Sequence, residues 1–108
     1  MTKFMILYWS QMSAREQMSG ATQEQAQAGM DAWMTWANKA GDAVVDLGSP
    51  LAEAAHLGPE LPASQHVTGF SILQAESADA LNAILDGHPH LAMGGSVDIL
   101  EFLPLPGM

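Results

Sequence analysis

The chain has 108 residues, which is the usual size of one domain built around one hydrophobic core. Apolar residues make up 48% of it and charged residues only 14%, against about a quarter in typical soluble domains, so a single copy has little polar surface with which to cover itself. A formal net charge of −9 disfavours nucleic acid and anionic membranes as partners, and the lack of cysteine excludes disulfides and thiolate chemistry.

The first predicted element is a strand over Phe4–Trp9, the longest uninterrupted apolar run. Six residues are too few for a signal peptide or a membrane span, and the aromatic and branched side chains favour a strand. Both alternating faces of this strand are apolar, so both faces are expected to be covered. We expect a cytoplasmic protein with no membrane partner.

Helix one is predicted from Gln23, after the N-cap Thr22, to a C-cap at Gly41, and Ser10–Gly20 is interpreted as a connection. Trp36 falls outside the apolar stripe of this helix, so it is either an edge-of-core residue or a contact to a second copy or a ligand. The stripe itself consists of Ala26, Met30, Trp33, Met34, Ala37 and Ala40.

The remaining elements follow from turn residues and periodicity. Ala43–Gly48 is predicted as strand two, Val67–Gln74 as strand three, Ala78–Asp86 as helix two and Ser96–Leu103 as strand four. A long connection, 50–66, joins strands two and three, and connections of this length often bind ligands or partners.

The order strand, helix, strand, strand, helix, strand predicts an α+β fold of the ferredoxin-like βαββαβ type in a single domain over residues 1–108. In this fold an antiparallel sheet carries both helices on one face, and its other face stays open. Because Phe4–Trp9 is apolar on that face as well, two sheets are expected to pack together as a homodimer and to form a dimeric α/β barrel.

The sequence offers three candidate residues for acid–base catalysis. His66 opens strand three and Asp46 ends strand two, so an antiparallel hairpin would bring them near each other, and an aspartate can hold a histidine in one tautomer. His88 lies in the turn after helix two, where an imidazole could move protons near neutral pH. The alternative is that these are a solvated pair and a turn histidine without catalytic roles. No metal site and no cofactor are predicted.

A ligand pocket is predicted between helix one and the sheet, and it would suit a small aromatic or apolar molecule. Its predicted lining consists of Tyr8, Trp9, Trp33, Phe70 and His90.

Five segments occur in an order and spacing that span nearly the whole chain: KFMILYW, VVDLGSPL, HVTGFSIL, SADALNAIL and HPHLAMGGSVDILEF. In this respect the sequence resembles the YCII-related domain family (YciI-like, DGPF-type) as a diverged member. The resemblance implies a dimeric α+β barrel of ferredoxin-like subunits, with a pocket beside the sheet.

The resemblance also implies a histidine on the first helix, paired with an aspartate, and an Asp-Pro turn after the second helix. This sequence has Gln25, Gln27 and Asp31 on the helix, and its turn is His88-Pro89. Two hypotheses follow. The protein binds a small organic molecule and performs lyase or isomerase chemistry through its histidines, or it is a non-catalytic homodimeric module for binding or interaction.

Overall fold

The computed structural model describes residues 1–61 and 64–107. In chain order its elements are β1 (Thr2–Ser10), α1 (Ala14–Gly20), α2 (Gln23–Ala40), a 3₁₀ turn (Gly41–Ala43), β2 (Val44–Pro50), β3 (His66–Ala75), α3 (Ala78–Leu85), α4 (Pro89–Ala92) and β4 (Ser96–Glu101).

The four strands form one sheet in the order β2-β3-β1-β4, and each neighbouring pair is antiparallel. At the centre of the sheet, Tyr8 of β1 lies opposite Gly69 of β3 on one side and Val97 of β4 on the other. The predicted α+β class with an antiparallel sheet is confirmed, and the strand order is compatible with the ferredoxin-like arrangement.

The core lies between the sheet and the helices, on one face of the sheet. Phe4, Ile6 and Tyr8 alternate toward this face from β1, as a strand with a period of two requires. Leu73 joins them from β3, and α3 contributes Leu81 from above. The helices of the same chain therefore cover this face of the sheet.

The predicted stripe of α2 is confirmed only in the second half of the helix, where Trp33, Ala37 and Ala40 pack against the core. Trp36 is its buried residue and is 4% exposed, whereas Met30 and Met34 of the predicted stripe are 58% and 44% exposed. The indole nitrogen of Trp36 donates to the Ile84 carbonyl at 3.0 Å, which fixes the helix against α3. All residues from 23 to 32 are exposed, so only the second half of the helix reaches the sheet.

Two short helices were missed at the sequence level. The predicted connection at 10–20 contains α1, whose N-terminus is a capping box between Ser13 and Glu16. The turn after α3 contains α4, which has Pro89 in its first turn and His88 as its N-cap. Strand β4 ends at Glu101, two residues before the predicted end.

The second face of the sheet is apolar and uncovered. Met5, Leu7 and Trp9 alternate onto it from β1, and Phe70 and Ile72 join them as cross-strand neighbours from β3. The molecule measures 46 × 40 × 20 Å, and the shortest dimension corresponds to one helix layer on one sheet. We call this surface the open face.

Candidate functional site

A chain of hydrogen bonds runs through the core between the sheet and the end of α3. The Tyr8 hydroxyl donates to Ser71 Oγ at 2.8 Å, and Ser71 Oγ donates to the Leu47 carbonyl at 2.6 Å. His88 Nε2 lies 3.3 Å from the Tyr8 oxygen. His88 and Ser71 are fully buried and Tyr8 is 2% exposed, so these polar groups have only each other and the backbone as partners.

The local structure positions the residues that form these hydrogen bonds. Tyr8 and Ser71 are both inward-facing residues on the neighbouring strands β1 and β3. Gly87, with φ +75°, turns the backbone after α3 so that His88 can cap α4. The His88 Nδ1 accepts the backbone N–H of His90 at 3.0 Å.

The tautomer of His88 follows from these bonds. Because Nδ1 accepts, we assign the proton of the neutral ring to Nε2, which then donates to the Tyr8 oxygen. The donors run in one direction from His88 through Tyr8 and Ser71 to the Leu47 carbonyl. Among residues 1–61 and 64–107, no buried side-chain nitrogen or oxygen lacks a partner.

Aromatic rings enclose the imidazole of His88. The rings of Trp33 and Trp36 approach it at centroid distances of 4.4 Å each, edge to face, and Tyr8 stacks on it at 5.1 Å. Burial, and to a lesser extent the nearby charge of His90, lower the pKa of His88 to about 4. Burial likewise raises the pKa of Tyr8 to about 12, against the smaller opposing effect of its bond to Ser71. Both groups are therefore neutral at pH 7.

The other predicted acid–base residues lie in separate surroundings. The His66 Nδ1 hydrogen-bonds to the Glu53 carboxylate, so the structure gives His66 a loop partner where the sequence suggested Asp46. Asp46 Oδ1 instead accepts the backbone N–H of Gly48 at 2.8 Å. Within the described residues, no hydrogen bond links His66, His88 and Asp46 to one another.

The predicted pocket residues divide between the two faces of the sheet. The Tyr8 ring lies 5.0 Å from Trp33 and 5.2 Å from His90, on the helix-facing side. Trp9 and Phe70 belong to the open face, because successive strand residues point to opposite sides. The indole nitrogen of Trp9 donates there to Asp98 Oδ2 at 3.0 Å.

Two surface recesses were not predicted from the sequence. One of about 270 Å³ lies where β1 ends and β4 begins, and we call it the β1–β4 recess. Its lining comprises Trp9 and Ser10 at the end of β1, Gln11 after it, Gln65 before β3, and Met93–Ser96, where Ser96 begins β4. Loops and strand ends from distant parts of the sequence form these walls, so no short motif marks them.

The second recess, of about 480 Å³, lies between α3, α4 and β4. Its lining includes the apolar side chains of Leu85, Leu91, Val97 and Ile99.

In the part of the chain that the structure describes, no group of three or more histidine, aspartate or glutamate side chains is placed to hold a metal ion. In the same residues, no helix combines the length and the hydropathy needed to cross a membrane.

Comparison with known proteins gives no family assignment: no protein-family model matches the chain, and no curated protein matches it. Fold and geometry alone therefore define the class, an α+β domain with a four-stranded antiparallel sheet, helices on one face and an apolar second face.

Proposed function

We propose that this protein is a homodimeric, YCII-like module that binds a small organic molecule, and that two copies pack through their open faces to form a dimeric α/β barrel. The observation that carries the proposal is the uncovered apolar side of the sheet. The order of the five segments that resemble the YCII-related family supports the same reading.

The single chain exposes more surface than a compact domain of its mass, which leaves area that a second copy could cover. The chain exposes 7689 Å², whereas a compact monomer of 11.5 kDa would expose about 5,800 Å². The excess of about 1,900 Å² is comparable to what one subunit buries in an obligate dimer. The radius of gyration, 15.1 Å against about 13 Å for a compact domain of this length, points the same way.

The chemistry of the open face also suits self-association. Leu7 and Phe70 lie opposite each other at its centre, and Met5 and Ile72 form the next pair. Asp98 belongs to the same face, but the Trp9 indole already satisfies one of its carboxylate oxygens. An interface with an apolar centre and few charges is typical of permanent homodimers.

A binding function is better supported than a catalytic one in which the predicted residues act as acid and base. His88 is enclosed, its pKa is lowered to about 4, and both of its ring nitrogens are engaged. A general base works best with a pKa near the operating pH and within reach of the substrate. His66 pairs with Glu53 and Asp46 caps its own turn, so neither supplies His88 with a catalytic partner.

The test is the molar mass in solution of the native chain and of two variants. Phe70→Glu places a charge at the centre of the open face, and Met30→Glu places one at a site that is 58% exposed, in the first half of α2. With light scattering at micromolar concentration, we expect twice 11.5 kDa for the native chain and for Met30→Glu.

Phe70→Glu is expected to give the monomer mass while keeping its far-ultraviolet circular dichroism. A native chain that is monomeric, or a Phe70→Glu variant that remains a dimer, would rule out the open face as the interface.

A further inference from the structure

We infer that the β1–β4 recess is the binding site of the proposed module, and that its ligand is a small, uncharged molecule rich in hydrogen-bonding groups, such as a monosaccharide or a small amide. The inference rests on the proposed binding function, to which it adds a location and a ligand class.

The lining of the recess is polar but carries no formal charge. It offers the hydroxyl groups of Ser10 and Ser96 and the side-chain amides of Gln11 and Gln65. These groups both donate and accept hydrogen bonds. The chain has twelve carboxylates and three basic residues, but none of them lines the β1–β4 recess. The lining therefore provides no ion pair for a charged ligand.

The size of the recess limits the ligand. Sites for drug-sized molecules begin at roughly 300 Å³, and this recess has about 270 Å³. One ring with its substituents fits such a volume, whereas a nucleotide or a peptide does not. The recess also adjoins the open face at Trp9, so it would lie at the rim of the proposed dimer interface.

The floor of the recess is held in place before any ligand arrives. The N–H of Gly95 donates to the His90 carbonyl at 3.0 Å, and the N–H of Gly94 donates to the Leu91 carbonyl at 3.1 Å. The His90 Nε2 donates to the Trp9 carbonyl at 2.8 Å and so connects the floor to β1. A preformed site avoids the cost of ordering loops during binding.

The two glycines shape the floor of the recess. A Cβ atom at position 95 would lie 2.2 Å from His90 Nε2, so only glycine fits against that ring. At position 94 the φ of +89° favours glycine. A Cβ atom at position 94 would meet nothing within 4 Å, so the space beside this glycine is open, whereas the Cβ direction at position 95 is filled by the His90 ring.

The experiment uses pairs of probes that differ mainly in charge: nicotinamide with nicotinate, and glucose with glucuronate. Each is titrated into the ¹⁵N-labelled chain at about 0.15 M salt, where charges beyond about 8 Å are screened. We expect saturable shifts of the Gly95 and Ser96 amide signals with at least one neutral probe. We expect its charged counterpart to bind at least tenfold more weakly.

Ser96→Phe fills the recess and is expected to abolish these shifts. Asn82→Phe makes the matched change in the second recess and should leave them intact. Equal binding of charged and neutral members would overturn the ligand class, and shifts confined to other residues, or no shifts with any probe, would overturn the location.

The mass measurement on the open face is independent of these titrations. A monomeric chain that binds nicotinamide in the recess would refute the dimer and keep this inference. A dimer whose recess ignores every probe would do the reverse.

Discussion

Replacement of His88 by asparagine should change how stability depends on pH. Asparagine is a favoured N-cap, so its side-chain oxygen can still accept the His90 N–H at the start of α4. The variant loses the titrating group and the contact to Tyr8. At pH 7.5 the loss of a buried ring should cost about 2–4 kcal/mol.

The pH dependence follows from the lowered pKa. In the unfolded chain His88 takes up a proton below about pH 6.5, whereas in the folded chain it does so only below about pH 4. Between these values the unfolded state binds more protons, so the native chain loses stability as the pH falls. The loss amounts to about 3 kcal/mol at pH 4, and it is absent above about pH 7.

The assay is urea unfolding, followed by tryptophan fluorescence, at pH 7.5, 6.5, 5.5 and 4.5. The difference in unfolding free energy between the native chain and His88→Asn should shrink as the pH falls. His56→Asn serves as the control: its side chain lies in the exposed loop after β2, and the variant retains His88. Parallel curves for the native chain and His88→Asn would refute the burial argument, as would an NMR titration of His88 centred near pH 6.5.

Three further changes test other parts of the structure by urea unfolding or light scattering. Tyr8→Phe removes the donor to Ser71 in the buried chain and should cost about 1–3 kcal/mol; a neutral effect would argue against these bonds. Gly48→Ala should be far more damaging than Gly29→Ala. At Gly48, where φ is +83°, a Cβ atom would lie 1.7 Å from a backbone oxygen of β3. At Gly29, in the exposed part of α2, a Cβ atom would meet nothing within 4 Å, so Gly29→Ala should stabilise the folded chain by about 1 kcal/mol. Each subunit carries a net charge of −9, so added salt screens the repulsion between the two copies and the dimer dissociation constant should fall as salt is raised. The opposite trend would indicate an interface held by ion pairs.

The sheet could be predicted from the sequence because strand composition and turn residues are local signals. The apolar run Phe4–Trp9 and the segment Val67–Gln74 gave both central strands, and Thr22 and Gly41 marked the ends of α2 correctly. The predicted stripe of α2 was only partly right, because Trp33, Ala37 and Ala40 pack against the core but Met30 and Met34 are exposed. A helical stripe shows which residues share a side, but it cannot show that only the second half of α2 reaches the sheet.

The buried hydrogen bonds that link His88, Tyr8 and Ser71 could not be predicted from the sequence, for a different reason. Tyr8 is separated from Ser71 by 63 residues and from His88 by 80, so no short motif joins them. The position of Ser71 did contain a signal, because it stands on the inward side of a strand between the buried residues Gly69 and Leu73.

The expected pairing of His66 with Asp46 assumed a regular hairpin. Strand β2 has two register irregularities, on either side of Asp46, and the loop that follows places Glu53 beside His66. Strand-end reasoning fails where bulges alter the register and a long loop folds back on the sheet.

The most direct test of the proposed dimer is an isotope-filtered NOE experiment on a sample in which labelled and unlabelled chains are mixed. We expect cross-peaks between the methyl groups of Leu7 and Ile72 in one copy and the rings of Trp9 and Phe70 in the other. Their absence, together with tumbling expected for a single 11.5 kDa chain, would contradict the proposal that a second copy covers the open face.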